Sequence, residues 1–262
     1  MDIYIRFTLS VIMFLREIDI SDETLVTDIV TKDYRTSAIF RKYGIEFCCT
    51  GRIPLRKACE MNGLDTEVVK KELYDSTRNI QVSNATDFND WDIDFLTDYI
   101  RNIHHSYLRK NLPEITEILE RFTEGHQKQY PRLPALVTAF NHLKKVLLPH
   151  LDHEEQVIFP YIKQINHAHR SREPYAALLV RTLRKPVEEM MHKEHEQIRD
   201  FLRLSRELTQ NYTTPVQACV SHKVCFLKLQ ELDHELVQHT HLENNILFPK
   251  ALAMEKELLQ AE

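Results

Sequence analysis

His150-Leu151-Asp152-His153-Glu154-Glu155-Gln156-Val157-Ile158-Phe159-Pro160 decides how the chain folds. It returns 89 residues later as His239-Thr240-His241-Leu242-Glu243-Asn244-Asn245-Ile246-Leu247-Phe248-Pro249. The shared phrase is His-x3-Glu, two further residues, two aliphatics, then Phe-Pro. An i, i+4 spacing puts the histidine and the glutamate on one face of an α-helix, one turn apart. Imidazole nitrogen with carboxylate oxygen is a donor set that suits iron, manganese or zinc. One His-x3-Glu arises easily in a chain with 14 His. Two with the same apolar tail do not.

The repeat extends upstream. His105 lies 45 residues before His150, and His195 lies 44 before His239. Each half therefore reads as a helix with a lone histidine, a turn, and a helix with His-x3-Glu. The turns are residues 125–131 and 210–215, where Gly or Asn breaks one helix and Pro starts the next. In an antiparallel hairpin, residues equidistant from the turn come level. The midpoint of His105 and His150 falls at 127–128, inside the first turn. That of His195 and His239 falls at 217, about one helical turn past the second loop's centre. Two such hairpins predict a four-helix bundle with four His and two Glu at one level.

The six residues sit within apolar stripes. Leu147, Val157, Ile158 and Tyr161 flank His150 and Glu154; Leu232, Leu236, Ile246 and Leu247 flank His239 and Glu243. Leu108, Leu112, Ile115 and Leu119 follow His105, and Met191, Ile198 and Leu202 surround His195. A carboxylate on such a face is costly unless it pairs or binds metal. Six donors exceed a closed four-coordinate zinc site. They suit two ions, each with about two His, bridged by both Glu, a solution known for iron and manganese in helical bundles. Thiolate-free ligation with open positions favours iron handling O2 or NO, with manganese left open.

Composition agrees with an all-α protein. Only 4 Gly occur, and no run of alternating β-branched residues is present. A net charge of −5 without a basic block gives no footprint for nucleic acid. Five Cys, an odd count without disulfide-framework spacing, suit a reducing, cytoplasmic setting. Residues 3–15 are largely apolar but interrupted by Arg6, and too short to span a membrane. With Asp2 in place of a basic start and no small-residue cleavage site, residues 1–17 do not read as a signal peptide. They read as an extension ahead of a start at Met13, or as a docked extra segment.

Residues 18–75 have the texture of a small helical domain, with short amphipathic patterns at 24–32, 37–43, 54–61 and 65–73. Residues 76–90, rich in Asn, Asp, Ser and Thr, read as a linker to a bundle over 91–262. The small domain's singular feature is Gly44-Ile45-Glu46-Phe47-Cys48-Cys49-Thr50-Gly51. Adjacent cysteines strain to bond each other, so Cys48 and Cys49 are two thiols side by side. They are either small buried residues beneath a turn or exposed thiols that bind metal, take up NO or oxidise reversibly. Cys59, Cys219 and Cys225 lack partners at motif spacing and read as core filler.

The Gly44–Cys49 motif resembles the signature of the ScdA-like N-terminal domain of the repair-of-iron-centres family. The repeated His-x3-Glu with Phe-Pro resembles that family's hemerythrin-like bundle. The likeness covers the chain from about residue 17 onward. It implies a non-haem di-iron protein that restores iron–sulfur clusters damaged by NO or peroxide, by donating iron. Damaged cluster proteins would be its partners and NO or O2 its small ligands; a homodimer stays open. Carried over by motif, the ligands fall on His105, His150, Glu154, His195, His239 and Glu243. The neighbouring His104 competes with His105, and the following Leu112-Pro113-Glu114 favours His105. Thr50 departs from the family, where a second Gly follows the Cys pair. Two alternatives remain beside iron donation: a di-iron NO reductase, and an O2 or NO sensor or carrier. Cys48 and Cys49 are the candidate transfer thiols in the donor reading.

Overall fold

The computed structural model describes residues 20–33, 35–47, 53–77, 88–183 and 187–260, the side chains of 183–192 excepted. Cys48, Cys49 and Thr50, the 1–17 extension and most of the 76–90 stretch lie outside the described residues. The chain divides into two compact units, Met1–Val82 and Ser83–Glu262. Among the described residues every extended element is helical, and the one β-contact is an isolated bridge between Leu25 and Pro54. No helix among them is long and apolar enough to cross a membrane.

The described residues of the first unit form four short helices, α1 (Val26–Lys32), α2 (Thr36–Lys42), α3 (Leu55–Met61) and α4 (Thr66–Thr77). Each is too short to persist alone, so burial of one face must hold it. Ile29, Phe40, Leu55, Cys59, Val69 and Leu73 supply a solvent-free core. Gly44, at φ +67°, ends α2 in a left-handed conformation that glycine adopts without strain. The helix α4 continues through Ser76 and Thr77, beyond the expected edge of the domain. Their hydroxyls donate to Leu73 O and Tyr74 O, which lets two turn-forming residues stay helical.

In the second unit, α5 (Ile93–Tyr99) begins on Asp92, whose carboxylate accepts from the Asp94 and Phe95 N–H groups. It runs into α6 (Ser106–His126). There follow α7 (Leu133–His153), α8 (Phe159–Ser171), α9 (Ala176–Leu183), α10 (Val187–Thr209), α11 (Val220–Leu242) and α12 (Phe248–Gln260). The long helices α6, α7, α10 and α11 pack as a four-helix bundle, α7 on α10 and α6 on α11. Its interior carries Leu112, Ile115, Leu136, Phe140, Leu143, Leu229 and Leu232. Past the bundle, a second apolar core joins Ile93, Leu96 and Ile100 to Phe159, Ile162, Ile165, Leu247 and Ala251. The second hairpin's loop runs from Gln210 to Cys219, longer than its Gln-to-Pro signal, so residue 217 lies inside it. That extra length removes the slip between the second loop and its histidine pair.

Candidate metal centre

Three helices change pitch where the two cores meet. A single wide π-turn occupies Ile100–His105, Glu154–Ile158 and Glu243–Leu247. The Phe159 N–H donates to Glu154 O, and the Phe248 N–H to Glu243 O, five residues back. Ser106 N–H likewise reaches Arg101 O. The Phe-Pro that closes each repeat explains two of these. Pro160 and Pro249 lack an N–H and would press on the carbonyl four residues earlier, and a widened turn relieves both problems. The phenyl rings have their own task. Phe159 stacks on His105 at 5.5 Å between ring centres, and Phe248 on His195 at 6.3 Å.

These turns bring the six histidines and glutamates of the repeat together. They form two tetrads, His105–Glu154–His239–Glu243 and His150–Glu154–His195–Glu243, with ligand atoms all within 4.8 Å in each. Both carboxylates belong to both tetrads. In one, the Nε2 atoms of His105 and His239 face each other at 3.1 Å; in the other, those of His195 and His150 at 3.3 Å. Glu154 Oε2 lies 3.4 Å from Nε2 of His105 and of His150. Glu243 Oε1 lies 2.9 Å from His239 Nε2, and its Oε2 lies 3.3 Å from His195 Nε2.

Whether this donor set fits a metal is decided by its unsatisfied atoms. Glu154 and Glu243 are fully buried, and among the described residues none of their four oxygens accepts a hydrogen bond. The four Nε2 atoms and both carboxylates converge on two common points, where the imidazoles alone face the buried charge. Two buried carboxylates in that state carry a desolvation penalty of several kcal/mol each, by order of magnitude. A cation at each convergence point removes it. The residues fit a metal, and His105, His150, Glu154, His195, His239 and Glu243 are the ones that would hold it.

Comparison with known proteins agrees. The hemerythrin HHE cation binding domain matches residues 100–251, and ScdA_N, a domain of unknown function, matches residues 22–77. An iron-sulfur cluster repair protein YtfE of Escherichia coli is 31% identical over 225 residues, covering 84% of this chain and 93% of that protein. A Shigella boydii protein of the same name matches to the same extent. A probable iron-sulfur cluster repair protein of Haemophilus influenzae is 30% identical over 82% of this chain and 90% of its own length. The chain belongs to the repair-of-iron-centres family.

As in any metal site of imidazoles, the outer ring nitrogens of this family member matter. His105 Nδ1 pairs with Glu155 Oε1 at 2.9 Å, His150 Nδ1 with Glu194 Oε2 at 2.7 Å, and His195 Nδ1 with Asn244 Oδ1 at 2.9 Å. His239 Nδ1 is buried and has no partner among the described residues. Each of these partners is a sequence neighbour of a cluster residue, though not of the histidine it holds: Glu155 follows Glu154, Asn244 follows Glu243, and Glu194 precedes His195. His104, the rival of His105, is buried outside both tetrads with its Nδ1 2.6 Å from Glu235 Oε1. Cys59 and Cys225 are buried, as core filler should be. Cys219 is not filler; it is half-exposed, with its sulfur 3.5 Å from His126 Nε2.

Left to themselves the six groups share protons. Burial disfavours a charged His105, but Glu154 and Glu243 outweigh it and raise its pKa to about 10. His150 rises to about 8 against the same burial, held by Glu154, Glu194 and Glu243. For His239 burial prevails, and its pKa falls to about 4. Burial, then the charge of Glu243, pushes Glu154 up. Glu243 goes the other way: burial opposes its ionisation, but His239, His105 and His195 hold it well below the usual carboxylate range.

Proposed function

We propose that the chain holds two iron ions, one per tetrad, and restores iron–sulfur clusters damaged by nitric oxide or oxidation by giving them iron. The observation that carries this reading is the pair of tetrads sharing Glu154 and Glu243. The names of its relatives supply the direction: they are iron-sulfur cluster repair proteins. Iron is here the cargo. Ferrous iron sits low in the divalent affinity order, so imidazole and carboxylate hold it firmly enough to store and loosely enough to release.

The chain's own residues do three things in this reading. The four imidazoles present Nε2 inward, three of them fixed in that tautomer by an acceptor at Nδ1. The two glutamates neutralise the cargo while both apolar cores exclude water. Cys48 and Cys49 offer softer ligands for handing iron to a sulfur-ligated acceptor. A cytoplasmic setting would keep those thiols reduced.

The test uses the full chain, loaded anaerobically with ferrous iron and its metal counted. About two irons per chain and recovery of an NO-inactivated cluster enzyme, with iron leaving the chain in step, support donation. Recovery without loss of iron would overturn it. Conversion of added NO to N2O by the loaded chain, without cluster recovery, would favour the NO reductase alternative. Preference for manganese over iron would overturn the choice of metal.

A further inference from the structure

The two halves of the bundle match residue by residue, and the match extends to the partners of the outer ring nitrogens. His105 corresponds to His195, His150 to His239, and Glu154 to Glu243. Glu155, which holds His105, then corresponds to Asn244, which holds His195. Glu194, which holds His150, corresponds to His104. By this symmetry His104 stands where the acceptor for His239 Nδ1 belongs.

His104 does not take that role. Its Nδ1 is turned to Glu235 at 2.6 Å, its Nε2 has no partner among the described residues, and its ring centre lies 6.2 Å from that of His239. Glu235 sits one turn before His239 on α11 and is spent on His104. Among the described residues His239 is therefore the one tetrad histidine with no acceptor at Nδ1 to fix its tautomer or raise its basicity. Removing such an outer partner costs metal affinity about 10–100-fold in sites of this kind. Here the partner is missing by sequence, on one side only.

We propose that the two metal positions are unequal, and that the ion between His105 and His239 is the one given up, while the ion between His150 and His195 stays. This rests on the two-ion reading above. It assigns a direction of release to the His104 side of the bundle and a division of labour to the pair. One position delivers; the other keeps both glutamates in place for reloading.

The experiment is chelator extraction from the full chain, loaded with ferrous iron alone and followed anaerobically by the colour of the ferrous–chelator complex. Two phases of equal amplitude are expected, their rates at least about tenfold apart. In His104→Gln, whose amide oxygen offers His239 an acceptor as Asn244 does for His195, the fast phase should slow toward the other. In Glu194→Ala the slow phase should speed up and the fast phase stay. The second variant changes a partly exposed side chain, so it keeps the test decisive if the buried substitution unfolds the chain. A single phase for both ions in the unmodified chain would overturn the proposal and leave the two-ion reading intact. So would His104→Gln with an unaltered fast phase and unaltered circular dichroism. Failure to load two ions at all would overturn the reading beneath it.

Discussion

Glu154 and Glu243 come from helices on opposite halves of the repeat, yet each faces a histidine from both tetrads. Glu154 Oε2 is 3.4 Å from the Nε2 atoms of both His105 and His150. Glu243 reaches His239 with one oxygen and His195 with the other. Loss of either carboxylate therefore strikes both positions, unlike loss of a histidine, which strikes one.

That relationship gives the first prediction. Glu154→Ala or Glu243→Ala alone should lower bound iron from about two to fewer than one per chain, measured by elemental analysis after desalting. His150→Ala should spare more iron than either, since it belongs to one tetrad. The double glutamate variant should bind none. Two irons retained by the double variant would remove the shared-carboxylate arrangement.

Metal uptake should depend on pH with a definite sign. His105 and His150, raised to about 10 and about 8, carry protons at neutral pH and must lose them to offer Nε2 to a cation. Affinity for ferrous iron should therefore rise between pH 6.5 and 8.5, and loading at pH 7 in weak buffer should release protons. Chain stability without metal runs the opposite way. A histidine whose pKa is raised by folding adds stability below its unfolded value near 6.5, and loses it as pH climbs through the folded value. The melting temperature of the iron-stripped chain should thus fall from pH 6.5 to 9. Titrations showing pH-independent affinity would contradict the protonation scheme.

The bundle was legible in the sequence because two periodicities coincide: the 89-residue offset of the repeat and the helical spacing within it. Those are backbone-geometric signals, and they brought all six residues of the cluster into one list. Two of the three π-turns were not legible, because they follow from the clash between Pro160 or Pro249 and a carbonyl one turn back. That clash looks in sequence like an ordinary proline after a helix. Tertiary partners such as Glu194 and Glu235 were hidden for a different reason. Each pairs with a histidine 44 or 131 residues away, and no local pattern encodes that distance. Cys219 departs from core filler because a neighbour 93 residues earlier, His126, meets its sulfur at the bundle's loop end.

The second loop makes a separate prediction about stability. Gln210, Asn211 and Tyr212 all have positive φ, at 52°, 55° and 59°. None is glycine, so the surrounding structure must hold them there. Asp233, only 2% exposed, does so by accepting from the Arg206 guanidinium and, at 2.6 Å, from the Tyr212 hydroxyl. Asp233→Ala should cost about 2 kcal/mol, the usual value for hydrogen bonds to a buried charge. That corresponds to a fall in melting temperature of roughly 4–8 °C. The far end of the bundle is affected, so iron content should not change.

The division of the chain gives a truncation prediction. Phe88 packs its ring on Trp91 and Tyr99, at 4.7 and 5.8 Å between centres, so the second unit needs that residue. A chain beginning at Ser83 keeps it, along with both apolar cores and all six cluster residues. It should be helical by circular dichroism and take up as much iron as the full chain. Beginning instead at Asn89 should lower its melting temperature by removing that ring.

The last prediction concerns the two thiols upstream of the bundle. In the donor reading Cys48 and Cys49 act on iron in transit and have no part in holding it. Thiolate is the softer ligand, and exchanges iron with a sulfur-ligated acceptor more readily than imidazole does. All six cluster residues lie in the second compact unit and the Cys pair in the first, so the two roles are separable by substitution. Cys48→Ser with Cys49→Ser should leave iron stoichiometry and the two extraction phases as they are. Recovery of an NO-damaged cluster enzyme should slow several-fold. Unchanged recovery would mean that the sulfurs are packing atoms and that iron leaves the bundle without them. Lost iron would mean that the thiols themselves hold metal. The Cys59→Ser variant is the control, because that thiol is buried in the first unit's core and its pKa is raised by burial. Its substitution should lower stability without touching the rate of recovery.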